Sequence, residues 1–216
     1  MKFRRRPLPA PHPRTPWREA DFCVLDLETT GLDLHRDDII AYGAALVTRA
    51  RIPCGRVAYG LVRPGRPVSV PALTVHGLRA ADLADAPAVD EVADHLVDLL
   101  ADRVLVAHAA WVERAFLTRV LQPRGLTLGP AVIDTAALLR ACRLVDAGTA
   151  GEPNLEAAAQ QLGLPVHTPH HALGDAFTTA QLFLALATRL ERVPAGNKPR
   201  PLIVRHLCAI SKHHRI

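Results

Sequence analysis

Asp21-Phe22-Cys23-Val24-Leu25-Asp26-Leu27-Glu28-Thr29-Thr30-Gly31 is the stretch from which the fold can be read. Its apolar run is too short for a helix and carries an acid inside it, which predicts a buried strand. Side chains alternate across a strand, so Asp26 and Glu28, two positions apart, share one face. Two carboxylates side by side at the end of an apolar strand are costly unless water or a positive charge relieves them. The pair therefore marks either a solvated strand end or a site for a divalent cation with oxygen ligands, such as Mg²⁺ or Mn²⁺. Thr29-Thr30-Gly31 adds to the second alternative. Gly31 permits a tight turn with exposed amides that can receive a phosphate or a terminal sugar hydroxyl.

Outward from this strand, residues 39–47 and 57–62 read as two more strands joined around Arg51-Ile52-Pro53-Cys54-Gly55, a three-stranded antiparallel start. The period then changes. Asp85 and Pro87 announce a helix in which Val89, Val92, Leu96, Leu99 and Leu100 recur at helical spacing. A strand at 104–107, a helix at 111–121 ended by Pro123 and Gly125, and a short strand at 131–133 follow. Helices are expected near 134–145, 154–162 and 171–190, with Asp134 as a helix N-cap. Strands first, then alternating helices and strands, define an α/β domain with a mixed sheet. No internal repeat is visible.

The 216 residues suffice for one domain with its own core. At 49% hydrophobic and 22% charged, the composition excludes wholesale disorder. The net charge of +5 is unevenly distributed. Residues 1–20 and 191–216 each hold six Lys/Arg and one acid, leaving 14 basic and 19 acidic side chains, a net of −5, in residues 21–190. Basic ends beside an acidic body suit contact with a polyanion through the ends while the body gathers carboxylates to hold metal. An Arg-rich composition, with 23 Arg among 26 basic residues, gives the same bias. The expected organisation is a basic Pro/Arg-rich arm (1–20), a catalytic domain (21–190) and a basic tail (191–216). The tail contains a linker and an apolar segment, Leu202 to Ile210, that must dock on its own body or on another protein. No apolar run approaches the ~20 residues of a membrane span. The basic start leads into prolines instead of an apolar stretch, so a soluble cytoplasmic chain is expected. The four scattered cysteines indicate neither a disulfide framework nor a zinc ribbon.

Two further constellations can carry chemistry. His108 closes the strand at 104–107, and Glu113 falls early on the next helix, where it is either a surface acid or a ligand beyond a strand's C-terminal end. His170 and Asp175 are five apart, roughly 140° around a continuous helix. They converge only if His170 lies on a loop made by Pro169 and Asp175 lies inside the helix, placing a mobile histidine over a helix-borne acid. Zinc through His167, His170 and His171, or through His206, Cys208, His213 and His214, lacks a usual ligand spacing.

Taken together, Asp26-x-Glu28-Thr29-Thr30-Gly31, Ala107-His108-x-Ala110-x-x-Glu113-x-x-Phe116-Leu117, Asp134-Thr135 and His170-x-Ala172-Leu173-x-Asp175-Ala176 resemble the DEDDh (DnaQ-like) 3′→5′ exonucleases. That family contains the proofreading epsilon subunit of bacterial DNA polymerase III. Val75-His76-Gly77-Leu78 and Leu155 to Pro165 match as well. The resemblance implies a ribonuclease-H-like fold with a five-stranded mixed sheet flanked by helices. It implies two Mg²⁺ or Mn²⁺ ions on Asp26, Glu28, Glu113 and Asp175, with His170 as general base. It gives the amides around Thr29, Thr30 and Gly31 to the terminal 3′-hydroxyl, His76 and Leu78 to a strand-end wedge, and His108 to the substrate side. Two positions depart from the family: Glu113 stands where Asp is usual, and Ala109 where Asn is usual.

The expected reaction is metal-dependent hydrolysis of phosphodiester bonds at the 3′ end of DNA, releasing nucleoside 5′-monophosphates. The alternatives are an RNA or oligonucleotide exonuclease on the same fold and a degenerate nucleic-acid-binding or polymerase-associated module. Nine aromatic side chains are too few for an extended stacking platform, which favours end-on binding of a few nucleotides. The expected partners are nucleic acid with a free 3′ end, chiefly single-stranded DNA, and a polymerase or other protein through the tail, with no membrane.

Overall fold

The computed structural model describes residues 5–145, 151–192 and 201–212. Its main sheet has five strands in the order β4-β3-β2-β5-β7, built from β2 (Phe22–Thr29), β3 (Ile39–Val47), β4 (Val57–Leu61), β5 (Val104–Ala107) and β7 (Val132–Asp134). Strand β3 runs antiparallel to β2 and β4, whereas β5 and β7 run parallel to β2. This is the mixed α/β sheet expected from the sequence. A second, two-stranded ribbon pairs β1 (Arg6–Pro7) with β6 (Leu126–Thr127) in parallel.

Alternation along β2 builds a core on each face of the sheet. Cys23, Leu25 and Leu27 pack with Leu96, Phe116, Leu117 and Leu121 of α3 (Val89–Leu100) and α4 (Trp111–Leu121). Phe22 and Val24 pack on the other face, with Phe183 and Leu186 of α7 (Ala172–Glu191), Leu138 of α5 (Thr135–Ala141) and Leu207 of α8 (Val204–Lys212). The remaining helices are α1 (Val70–His76), α2 (Ala80–Leu83) and α6 (Leu155–Gln161).

One glycine sets how closely α7 lies on the sheet. Gly43 is the register partner of Asp26, and a Cβ there would stand 2.2 Å from the backbone of Ala172 and Leu173. Only glycine lets the first turn of α7 rest on the strand beside Asp26. Gly43→Ala is expected to destabilise the fold by about 3 kcal/mol, since the helix backbone must move. It should also displace Asp175 from Asp26, a change measurable by thermal unfolding and by loss of divalent-cation binding.

The ends of the chain do not project as arms where the structure describes them. Leu8, Trp17 and Ala20 are buried, and the Trp17 ring meets Phe183 edge-on at 6.1 Å. The Trp17 indole N–H and the Arg18 guanidinium both donate to Glu191, at 3.0 and 2.8 Å. The apolar segment of the tail is helix α8, docked on β7 and α5 of its own body. Its N-terminus is tied to the other end of the chain, because Val204 N–H donates to Thr15 O and Trp17 N–H to Leu202 O. The buried anchors of a Pro/Arg-rich segment have partners far away in the chain, so no local period reveals them. The linker expected in the tail falls, over 193–200, outside the described residues.

Candidate active site

Strand β5 pairs with β2 only as far as Val24, so beyond that point β2 has no parallel neighbour. Asp26 and Glu28 lie on this stretch, which is paired on its β3 side alone, on the face against which α7 packs. Asp175 enters from the first turn of α7, where the aligned peptide dipoles favour a negative charge. A ligand oxygen from each of Asp26, Glu28 and Asp175 lies within 4.8 Å of the others.

Glu113 comes from the first turn of α4. It is 3% exposed, and its Oε2 is buried with no hydrogen-bond partner. Burial and the neighbouring Asp26 charge together hold its carboxyl well above the ordinary range. Burial and then the Glu28 and Asp175 charges do the same to Asp26. Glu28 is pushed up to about 7 by burial and by Asp175, and Asp175 to about 6 by burial.

Among the described residues no Lys or Arg pairs with any of these four acids. Desolvated carboxylates with an orphaned oxygen and no countercharge have the donor set that a hard divalent cation completes. Asp26, Glu28 and Asp175 are also the one group of three potential ligands found among the described residues. His167, His170 and His171 form no such group there, and of the second set considered for zinc His213 and His214 lie outside the described residues.

His170 occupies the loop before α7, in the left-handed region at φ 59°. Its backbone N–H donates to Asp175 Oδ2 at 3.0 Å, so the loop is anchored on the acid. Gly174 allows this, because a Cβ there would stand 2.4 Å from His167 O. The imidazole is half exposed and lies against α6, with Nε2 3.5 Å from Glu156 Oε1. Next in the chain, the His171 ring stacks on Tyr59 at 4.5 Å. Tyr59 is the register partner of Gly43 and so continues the row that contains Asp26. Neither Tyr59 nor Glu156 is signalled by the sequence, since each belongs to the site only through a distant partner.

The turn after β2 differs in detail from expectation. Thr30 is buried, its N–H donates to Asp38 O, and its hydroxyl donates to Asp37 Oδ1 at 2.8 Å. The Thr30 amide is therefore engaged within the protein instead of exposed to a sugar hydroxyl. The Thr29 hydroxyl donates to Gly31 O. Gly31 leaves room for the Asp37 carboxylate, whose Oδ2 would lie 2.5 Å from a Cβ, and its backbone is not left-handed.

Thr30 O accepts from Ser69 N–H, which ties α1 to this turn. No residue of α1 is buried; Val70 and Val75 on this helix, and Leu32 in the turn after β2, are each exposed. His76 ends α1 and Leu78 follows it, with His76 Nδ1 accepting from Leu78 N–H at 3.0 Å.

His108 departs most from its expected place on the substrate side. Nδ1 lies 2.8 Å from Thr135 Oγ1, and Nε2 lies 2.6 Å from Pro153 O. Burial pushes its pKa down, which suits a neutral ring that donates from Nε2 and accepts at Nδ1. With both nitrogens used, His108 has none to offer a substrate. It instead fixes Pro153, just before the α6 N-cap Asn154, and so orients the helix that carries Glu156.

Asp134 caps α5 as expected and also accepts from Ala109 N–H. Ala109 has φ 56°, a conformation that Asn and Gly tolerate better than Ala. Ala109→Asn is thus expected to stabilise the protein by about 0.5–1 kcal/mol, read as a rise of roughly 1–4 °C in Tm.

An α/β sheet with a cluster of uncompensated acids at the carboxyl ends of its strands is an arrangement suited to a hydrolase of phosphate esters. The chain belongs to the exonuclease family known as RNase_T, whose sequence profile matches residues 23–183. It is 36% identical over 180 residues to a DNA polymerase III subunit epsilon-like protein of Rhodobacter capsulatus, covering 82% of this chain and 25% of that protein. It is 30% identical over 177 residues to the 3′-5′ exonuclease DinG of Staphylococcus epidermidis, covering 81% of this chain and 19% of that one. The chain thus spans a quarter or less of the length of these relatives. Among solved structures, exonuclease X in complex with 5′-overhanging duplex DNA matches with a TM-score of 0.64 at 25% identity, over 88% of this chain and 99% of that one. The fold is accordingly that of the ribonuclease-H-like exonucleases. No helix among the described residues is long and apolar enough to cross a membrane.

Proposed function

We propose that the chain is a divalent-metal-dependent 3′→5′ exonuclease that releases nucleoside 5′-monophosphates from the 3′ end of single-stranded DNA. The observation that carries this reading is the convergence of Asp26, Glu28 and Asp175, with Glu113 buried beside them and no countercharge among the described residues. Asp26, Glu28, Glu113 and Asp175 would hold two Mg²⁺ or Mn²⁺ ions. When bound, such ions supply positive charge that stabilises the attacking and leaving oxygens of a phosphodiester displacement.

The protein's own groups do the rest. His170, on a loop anchored to Asp175 and with a half-exposed ring, takes the proton from the attacking water. The water oxygen bonds to phosphorus as the bond to the 3′ oxygen of the preceding nucleotide breaks. Exposed apolar side chains around the turn after β2 and the helix tied to it, Leu32 and Val70, would offer a surface on which the terminal base can rest. The names of the two curated relatives, one a polymerase-subunit-like protein and the other a 3′-5′ exonuclease, support a 3′ polarity and a setting in DNA metabolism.

The test is incubation of 5′-labelled single-stranded DNA and RNA with Mg²⁺, Mn²⁺ or EDTA. Stepwise shortening of DNA with either ion, abolished by EDTA, is expected; no shortening of either polymer with either ion would sink the proposal, and faster shortening of RNA would reassign the substrate. His170→Ala is expected to lower kcat roughly 10²–10⁴-fold, the contribution of a general base, while the same products still form.

A further inference from the structure

A cleft of about 950 Å³ lies beside α4, between that helix, the segment Thr127–Val132 and the end of α8. Trp111, Arg114 and Thr118 line it from α4, Pro130 from the segment before β7, and Lys212 from α8. Trp111 is 43% exposed, although an indole of that size is ordinarily covered. Among the described residues, neither Arg114 nor Lys212 has an acidic partner. Asp134 is the one acid in the lining, and its Oδ1 already accepts the Ala109 and Ala136 amides.

One end of the cleft, at Ala110, Trp111 and Asp134, lies at the carboxyl ends of β5 and β7, and the other, at Thr118 and Thr127–Val132, runs back toward the start of β7. Strands β2, β5 and β7 are parallel, and Asp26 lies on β2 beyond the last residue paired with β5, so the acid cluster and the Trp111 end of the cleft share one end of the sheet. Glu113 falls between Trp111 and Arg114 in the same helical turn, buried toward Asp26 while its two neighbours are exposed to the cleft. Helix α4 from Trp111 to Thr118 gives the cleft a wall of ~10 Å leading away from the acids.

We infer that this cleft binds the segment of single-stranded nucleic acid on the 5′ side of the nucleotide being removed. One base stacks on Trp111, and the following phosphates meet Arg114 and Lys212. This rests on the exonuclease reading and extends it, because substrate affinity then depends on strand length. An unpaired strand fits where a duplex does not, since a lone exposed indole needs a base whose face is not already stacked on its neighbour. Two unpaired cations match successive phosphates, with an affinity that falls as salt rises.

The experiment measures KM and kcat for 3′-terminal release from DNA oligonucleotides of two to twelve nucleotides, at several salt concentrations. The proteins compared are the full chain, Trp111→Leu, Trp111→Phe and Arg114→Ala/Lys212→Ala. In parallel, binding of an uncleaved twelve-nucleotide strand in EDTA is followed by fluorescence anisotropy and by quenching of tryptophan emission. For the unaltered chain, KM is expected to fall about tenfold or more with length. Trp111→Leu and the double variant should flatten that dependence, and Trp111→Phe should largely restore it. The double variant should also reduce the slope of log affinity against log salt by about 1.4, the share of two single-strand phosphate contacts. Variants that keep the full length dependence, salt slope and quenching overturn the inference. If the unaltered chain cleaves nothing, the exonuclease reading fails, and the anisotropy and quenching arms still decide the cleft: equal binding by all four proteins removes it.

Discussion

Asp26→Asn is expected to abolish nucleotide release, by a factor on the order of 10³ or more, and at the same time to make the metal-free protein more stable. The two effects have one cause. Asp26 is flanked by Glu28 and Asp175 and faces Glu113, and both burial and these neighbours oppose its charge. Replacing its carboxylate with an amide of the same shape removes that repulsion, worth about 1–3 kcal/mol in EDTA at neutral pH. It also removes the acid whose charge acts most strongly on Glu113 among its neighbours. Asp175→Asn should follow the same pattern with a smaller gain in stability, because Asp175 is partly solvated and accepts the His170 amide. Activity on labelled single-stranded DNA and urea unfolding in EDTA are the two measurements. A variant that is inactive and also less stable than the unaltered chain would mean that the acids do not repel one another.

The second large effect is in the pH dependence of stability. Glu28 is raised from 4.5 to about 7 and Asp175 from 3.8 to about 6, with Asp26 and Glu113 displaced in the same direction. A carboxyl whose pKa is raised by folding keeps its proton in the folded state after the unfolded chain has released it. Stability is therefore present below the ordinary carboxyl range and is lost as pH rises through the folded values. Without divalent ions, stability should decline between about pH 4 and pH 7, by on the order of 2–3 kcal/mol for Glu28 alone. Asp37 and Glu191 are lowered, so their contributions fall off only at the acid edge of that interval and below it. Asp134, raised by burial, adds to the decline, whereas His76 and His108, lowered by burial, cost stability as pH falls below 6.5 and so oppose part of it. Mg²⁺ or Mn²⁺ at a hundred times its dissociation constant should restore about 2.7 kcal/mol at pH 7.5, a rise of roughly 5–10 °C in Tm. The rise should shrink toward pH 5, as protons compete for the same oxygens. Differential scanning calorimetry from pH 5 to 8, with EDTA and with Mn²⁺, measures both slopes. Stability that rises with pH through this interval in EDTA, the sign that His76 and His108 alone would give, would show that the four acids are not crowded in the folded chain.

What the sequence reveals divides along the range of the interaction. Asp26 and Glu28 are legible as a pair because the rule that places them on one face is local to a strand, and Asp134 is legible as a cap for the same reason. The association of Glu113 and Asp175 with that pair joins segments roughly 90 and 150 residues further on, and only family resemblance connects them before the fold is known. Gly43 sets the approach of α7, yet in the sequence it is one small residue inside a strand. His108 shows the opposite case. Its place in a family motif suggests the substrate side, but its ring partners, Thr135 and Pro153, are 27 and 45 residues away and take up both nitrogens. The N-terminal segment reads as an irregular arm because nothing nearby hints that Trp17 reaches Glu191, 174 residues later.

Direct titration of Mn²⁺ into the full chain, followed by the electron paramagnetic resonance signal of the free ion at pH 7.5, bears most immediately on whether these acids form one cation site. About two saturable ions per chain are expected for the unaltered protein, with clear loss of binding in Asp26→Asn and partial loss in Glu113→Gln. Equal uptake by all three proteins, or none by any of them, would contradict a shared cation site.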